Sequence, residues 1–375
     1  MYICPMLHIS HTDSSKLEKL VCGMICNGNI LNQAVEQLFR KLVMKKQHSK
    51  INQKSLPNRF ILLAVIFLLL FAFIYLFVDK YVCSTEQPAG IIVAWGSDSD
   101  GQVSGVPEGD NFVEVAVGSF HSVALRNDGT IVSWGRDGHT DGQVRETPME
   151  NDFVSIAAGA NFSLALRKNG TIVQWGWDHN IAADHDGIVV GDTPGTGGFV
   201  AISAADNHAL ALRENGTIYA WGWDMSGEVS ERPRGSFVAI SAGDNHNLAL
   251  REDGTVVAWG ADLSGTISDT PTEREFTKIA AGARHNLALR EDGSIAAWGW
   301  NLREEVSSTP AEPGFTDISV GYTHSLAINE DGSIIGWGWE RLNAGQINDI
   351  PEGNGFFAIA AGPFHNLALR KPTEK

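Results

Sequence analysis

The sequence predicts an all-β protein: a seven-bladed β-propeller, closed by pairing of its N-terminal strand with the last blade and preceded by one transmembrane helix. Two observations carry this expectation. The dipeptide Trp-Gly recurs at Trp95, Trp134, Trp175, Trp221, Trp259, Trp298 and Trp337, at intervals of 39, 41, 46, 38, 39 and 39 residues. Ahead of these repeats, Phe60 to Val78 reads FILLAVIFLLLFAFIYLFV, 19 residues without a charge or a proline.

Taken in chain order, residues 1–59 form a basic segment with nine Lys/Arg against three Asp/Glu. Met44-Lys45-Lys46 and the short basic stretch after it resemble the start of a bacterial export signal or signal anchor. Met44 is therefore an alternative start, and residues 1–43 an upstream extension. Within that extension, Leu31, Val35, Leu38 and Leu42 fall on one face of a short amphipathic helix over 30–43. The run 60–78 is long enough to cross a bilayer as a helix and lacks the polar face of a surface helix. Lys45, Lys46, Lys50, Lys54 and Arg59 precede it. The positive-inside rule then places the N-terminus in the cytoplasm and everything after Val78 on the other side. Val82 and Ser84 would suit cleavage after Ser84, releasing a secreted protein, but the length of the run favours a retained anchor. Residues 79–90 read as a linker, 91–370 as the propeller and 371–375 as a tail.

Each repeat is a β-meander by local physics, as Phe276 to Gly299 shows: FTKIAAGARHNLALREDGSIAAWG. FTKIAA alternates with period two and is expected as a strand with one buried face. Gly282 interrupts it, and HNLALR alternates again. Asp292-Gly293 is then expected to supply a two-residue hairpin turn with positive φ. SIAAW follows as the third strand. The turn recurs at Asp128-Gly129, Asn169-Gly170, Asn215-Gly216, Asp253-Gly254 and Asp331-Gly332.

The two ends hold incomplete repeats. IIVAWG, from Ile91 to Gly96, is a third strand without its first two, and FFAIAAGPFHNLALR, from Phe356 to Arg370, is two strands without a third. Six whole units and these two fragments make seven blades, and joining the fragments removes the open edges that invite aggregation.

The phrase AGxxHxLALRxDGTIxxWGxxxxGQ resembles the repeat of the regulator of chromosome condensation family, over residues 91 to 370. The short repeats are similar to the bacterial branch of that family, which includes a propeller-type β-lactamase inhibitor. Phe162 departs from the repeat His, Ala205 from a Gly and Asn329 from the Arg. The Gly-Gln pair holds at Gly101-Gln102, Gly142-Gln143 and Gly345-Gln346. The expected role is a propeller that binds another protein; the resemblance supports the alternative, a regulator or effector of a small GTPase, and a propeller enzyme such as a lyase or hydrolase is the third reading.

Charge narrows the partner. After residue 90 there are 18 Lys/Arg and 39 Asp/Glu, a net charge of −21. Such a surface repels nucleic acid, whose binding rests on Lys/Arg displacing counterions from phosphates. It favours a protein partner with a basic surface. All four cysteines, Cys4, Cys22, Cys26 and Cys83, precede the propeller. Cys22 and Cys26 have no second ligand pair, so no metal is expected there.

The sequence holds no Gly-x-Ser-x-Gly, no phosphate-binding Gly-Lys-Ser/Thr loop and no dinucleotide fingerprint. No catalytic residue, cofactor or metal is therefore assigned, and the expected role is binding. His121, His208, His246, His285, His324 and His365 recur once per blade. Equivalent residues spread around a ring cannot converge on one ion, so packing is expected of them. The Trp of each Trp-Gly is expected in the core. In the long loop Ala182 to Gly198, Asp184 and Asp186 form too incomplete a set for calcium.

The candidate binding residues come from two loop columns that vary where packing does not dictate them. After Trp-Gly stand Asp98, Asp137, Trp177-Asp178, Trp223-Asp224, Asp262, Trp300 and Trp339. Before the repeat His stand Phe120, Arg284 and Phe364. Together they would rim one end of the ring with carboxylates and four further tryptophans. Asp side chains in such loops also stabilise turns, whereas exposed aromatic clusters are typical binding anchors.

Overall fold

A computed structural model describes residues 88–137, 142–177, 189–190, 192–339 and 344–372. The expected anchor over 60–78, the helix over 30–43, all four cysteines and the site after Ser84 lie outside the described residues, as do Asp184 and Asp186. Among the described residues there is no helix, and none long and apolar enough to cross a membrane.

Among the described residues, seven small antiparallel sheets follow one another along the chain. Blade 1 comprises β2 (Phe112–Val117), β3 (His121–Arg126) and β4 (Ile131–Gly135). Blade 2 comprises β5 (Phe153–Ala158), β6 (Phe162–Arg167) and β7 (Ile172–Gly176). Blade 3 has β9 (Phe199–Ala204), β10 (His208–Arg213) and β11 (Ile218–Trp223), with the short β8 (Val189–Val190) added outside β11. Blade 4 holds β12 (Ala239–Ala242), β13 (His246–Leu250) and β14 (Val256–Gly260). Blade 5 holds β15 (Phe276–Ala281), β16 (His285–Arg290) and β17 (Ile295–Gly299). Blade 6 holds β18 (Phe315–Val320), β19 (His324–Asn329) and β20 (Ile334–Gly338). Blade 7 joins β21 (Phe356–Ala361) and β22 (His365–Arg370) to β1 (Ile91–Gly96) from the other end of the chain. There Ile91 lies opposite Arg370 and Gly96 opposite His365, the register that each third strand keeps in the other blades.

The first strand of each blade is innermost. The last residues of β2, β5, β9, β12, β15, β18 and β21 line one central cavity. The middle strand, whose residues also alternate, is buried on both faces. In β16 the five residues from His285 to Leu289 are all buried. Leu287 and Leu289 pack towards Phe315 and Trp337 of blade 6, while Ala288 packs towards Leu248 and Trp298. The Leu/Ala alternation is therefore large-against-small complementarity towards two neighbouring blades, not core against solvent. Among the described residues there are seven such cores, each shared by successive blades, one of them by blades 7 and 1.

The repeat tryptophans fill these cores. Trp134 donates its indole N–H to the Gln102 carbonyl, and Trp95, Trp175, Trp259, Trp298 and Trp337 bond matching carbonyls one blade back. Blade 3 carries the long loop, and there the Gln174 side chain replaces that carbonyl for Trp221. The glycine after each Trp is also required. At Gly222 φ is +108°, and a Cβ would stand 2.6 Å from the Asn207 carbonyl oxygen.

The hairpin turns are not the two-residue type. The Gly129 N–H bonds the Arg126 carbonyl, and the Arg126 N–H bonds that of Thr130. Only Gly129 has positive φ, so Asn127-Asp128-Gly129 is a three-residue loop ending in a glycine bulge. Asp128 keeps ordinary φ and accepts from the Thr130 N–H instead.

Candidate functional site

The two loop columns meet at one end of the propeller, because the start of each second strand pairs with the end of each third. A backbone hydrogen bond joins them in every blade. The N–H groups of Ser97, Arg136, Trp177, Trp223, Ala261, Trp300 and Trp339 donate to the carbonyls of Phe364, Phe120, Asn161, Asn207, Asn245, Arg284 and Thr323. This is the face expected from the sequence, and it brings together Asp98, Phe120, Asp137, Trp177, Trp223, Asp224, Asp262, Arg284, Trp300, Trp339 and Phe364. Asp178 lies outside the described residues.

The carboxylates of this set have a local task. Asp98 accepts from the N–H groups of Val103 and Ser104, Asp137 from Val144 and Arg145, Asp224 from Val229 and Ser230, and Asp262 from Ile267 and Ser268. Asn301 does the same in blade 5, so the position needs an oxygen acceptor and not a charge. The backbone donors hold Asp98 and Asp262 below the usual carboxylate range. At Asp224 burial opposes them, yet the carboxyl is still held low. These side chains set the shape of the face by stabilising turns.

The aromatic residues are half-buried rather than fully exposed, and arginines cover several of them. Phe120 stacks on Phe364 at 5.2 Å between centroids, which links blades 1 and 7. The Arg136 guanidinium lies over Phe120, Arg284 over Trp300, and Arg303 of blade 5 over Trp339 of blade 6. Each such contact presents a planar donor group above an aromatic face.

The inner edge of the same face is the mouth of the central cavity, lined by the first loop of all seven blades. Its volume is about 100 Å³. Sequence reasoning missed two residues here, Asp206 and Asp244, which sit two positions before the repeat His in blades 3 and 4. Burial raises both carboxyls towards the neutral form, and the charge of Asp206 raises Asp244 further. Arg284 partly offsets this at Asp244. Comparing that column across blades (Ser119, Ala160, Asp206, Asp244, Ala283, Tyr322, Pro363) would have singled them out. The exposed Met225, Leu263 and Leu302 were also missed. They occupy one column, four residues after the repeat Trp, in blades 3, 4 and 5.

The histidines form a belt between blades. The Nε2 atoms of His121, His208, His246, His285, His324 and His365 bond Ser163, Asn247, Asn286, Ser325, Asn366 and Ser122 of the next blade, at 2.6–2.8 Å. Asn247 gives its amide N–H to the Glu228 carbonyl and its oxygen to His208, which makes His208 Nε2 the donor. Where Phe162 replaces the His, Ala209 replaces the polar partner, so the seventh pair is apolar. Burial pushes His121 and His324 down to about 4, and His285 and His365 to about 3. These rings are neutral packing elements. Among the described residues, no three His, Cys, Asp or Glu side chains form a group that could hold a metal ion.

Comparison with known proteins agrees with this geometry. The Regulator of chromosome condensation (RCC1) repeat matches residues 112–143, 153–189, 199–228, 237–266, 276–303 and 315–346. Among solved structures, Prp20p from Saccharomyces cerevisiae is similar at 21% identity and a TM-score of 0.61, over 77% of this chain and 93% of that one. The ectodomain of the Physcomitrella patens receptor kinase CR4 is similar at 22% identity and 0.56, over 71% and 72%. Human WBSCR16 is similar at 15% identity and 0.60, over 76% and 99%. No curated protein matches the chain by sequence. Six matched repeats, laid out in blades with the expected register, make this chain a member of the regulator of chromosome condensation repeat family.

Proposed function

We propose that this protein is a membrane-anchored interaction module. Its propeller binds another protein, with a basic surface, through the loop face, on the non-cytoplasmic side of the membrane. The pairing of β1 with β22 is read as the closure of the ring that holds this face in shape. The observation that carries the proposal is the convergence of both variable loop columns at one end, with the aromatic groups Trp177, Trp223, Trp300, Trp339, Phe120 and Phe364 arrayed across it. Rigid aromatic and arginine groups on a fixed scaffold are what protein interfaces use as anchors. The cavity at the centre of this face is small, about 100 Å³.

The anchoring part of the proposal rests on the apolar run 60–78 and the basic residues ahead of it. A reporter fused after Lys375 is expected to be active on the non-cytoplasmic side alone; cytoplasmic activity would overturn the orientation.

The binding part is tested with the Trp177→Ala/Trp223→Ala variant. Each substitution is expected to cost roughly 2 kcal/mol in partner binding, as for interface hot spots. Intact binding by a folded variant would remove these tryptophans from the interface.

A second reading, regulation of a small GTPase, is favoured by the likeness to Prp20p, whose structure is described together with its binding to Gsp1p and histones. A nucleotide-exchange assay with the propeller separates the two.

A further inference from the structure

Three of the large apolar side chains on the loop face are strongly exposed: Met225 at 68%, Leu263 at 45% and Leu302 at 72%. They hold the same position in three successive blades, 3, 4 and 5. In blades 3 and 4 a short radial line runs inward from them. Met225 lies two residues from Trp223, whose N–H bonds the Asn207 carbonyl, and Asn207 follows Asp206. Leu263 likewise lies two residues from Ala261, which bonds Asn245, next to Asp244. One sector of the face therefore has an apolar outer edge and two neighbouring carboxylates at its inner edge, on the cavity.

We propose that this sector, blades 3 to 5, binds a basic amphipathic segment of the partner protein. Apolar side chains of the segment cover Met225, Leu263 and Leu302, and one of its lysines or arginines enters the cavity mouth beside Asp206 and Asp244. This inference rests on the protein-binding reading above and names the chemistry of the partner.

Charge and size support the choice of occupant. The two half-buried carboxylates repel one another, and a cation beside them relieves both. Arg284 is the positive group of this chain acting on Asp244, and it is exposed and stacked over Trp300. A cavity of about 100 Å³ has room for the end of one side chain but not for a drug-sized ligand. The propeller's net charge of −21 draws a basic segment to this surface.

The experiment uses the full chain in detergent and three fluorescent 18-residue helical peptides. The first has a leucine face and a lysine face, the second replaces leucine with serine, and the third replaces lysine with glutamate. Binding is read by anisotropy at two salt concentrations. The Lys/Leu peptide is expected to bind at least tenfold more tightly than the other two.

Two variants should each weaken that binding tenfold or more: Met225→Ser/Leu263→Ser/Leu302→Ser, and Asp206→Asn/Asp244→Asn. The effect of the second should shrink at high salt. Val154→Ser/Val200→Ser/Val238→Ser alters exposed residues at the other end of the propeller and should change nothing. All three sets change exposed or half-buried side chains, and circular dichroism checks the fold of each. Equal binding of the three peptides overturns the proposal, as does unchanged binding by both loop-face variants. Loss of binding only in the valine variant also overturns it, while leaving a protein-binding propeller. If no peptide binds but the Trp177→Ala/Trp223→Ala variant still loses the natural partner, this sector is wrong and the loop face stands. If neither effect is seen, both readings fall.

Discussion

The histidine belt makes a quantitative prediction, because the protein already contains its own control. Phe162 and Ala209 occupy the belt positions in blades 2 and 3, and both are buried. An apolar pair therefore fits where the other blades have His and Ser or Asn. In His285→Phe alone, the Ser325 hydroxyl stays buried and loses its 2.8 Å partner. In Ser325→Ala alone, His285 Nε2 is stranded. An unsatisfied buried polar group costs about 1–3 kcal/mol, whereas removing both partners together is nearly neutral. The double variant should thus be more stable than the sum of the single losses by about 2 kcal/mol or more.

Urea unfolding at pH 8 of the four proteins closes the cycle. The pH dependence then supplies an independent readout. His285 is held at about 3 by burial, while the unfolded ring titrates near its ordinary value. The folded state keeps this ring neutral, so protons favour the unfolded chain. The associated stability is complete above about pH 6.5 and is lost as pH falls towards 3. At pH 5 the loss is about 2 kcal/mol for the one ring, from about 1.4 kcal/mol per pH unit. The double variant should lose about 2 kcal/mol less than the parent between pH 8 and pH 5. Additive single costs, or an unchanged acid sensitivity, would refute the belt as described.

Other outcomes follow from the same geometry. Gly222→Ala puts a Cβ against the Asn207 carbonyl at a φ of +108° and should destabilise by about 3 kcal/mol in thermal melting. Gly195→Ala, where nothing lies within 4 Å, is the neutral control. Deleting Ile91–Gly96 removes one of the two strands paired with β22, together with the buried Ile92 and Trp95, so light scattering should show aggregation in place of a cooperative melt. Asn329→Arg should add about 0.5 kcal/mol of stability by placing a guanidinium over Phe315. Six other blades already make that contact, from Arg126 over Phe112 to Arg370 over Phe356. An unchanged midpoint in denaturant would show that the contact contributes nothing here.

Much of the architecture was legible because the repeat writes the same local physics seven times. A glycine after each Trp, a glycine in each turn and a Leu/Ala alternation mark strand ends, hairpins and packing faces whatever the neighbours are. The unmatched IIVAWG and FFAIAAGPFHNLALR fragments pointed to one shared blade, and β1 does pair with β22. The candidate face was legible as two loop columns, since these positions vary where the rest of the repeat holds constant.

Tertiary structure alone decided the rest. Period-two alternation cannot tell a strand with one buried face from a strand wedged between two neighbours, and β16 proved to be wedged. The sequence left the loop carboxylates open between a binding rim and turn stabilisation, and the backbone donors that engage Asp98 and Asp262 appear only once the loop folds back. Trp300 and Trp339 share a column in sequence, yet one lies under an arginine of its own blade and the other under an arginine of the preceding blade. Local periodicity is a property of the chain and can be read from it. Which side chains meet across blades depends on how separate repeats are set side by side, and no single repeat encodes that distance.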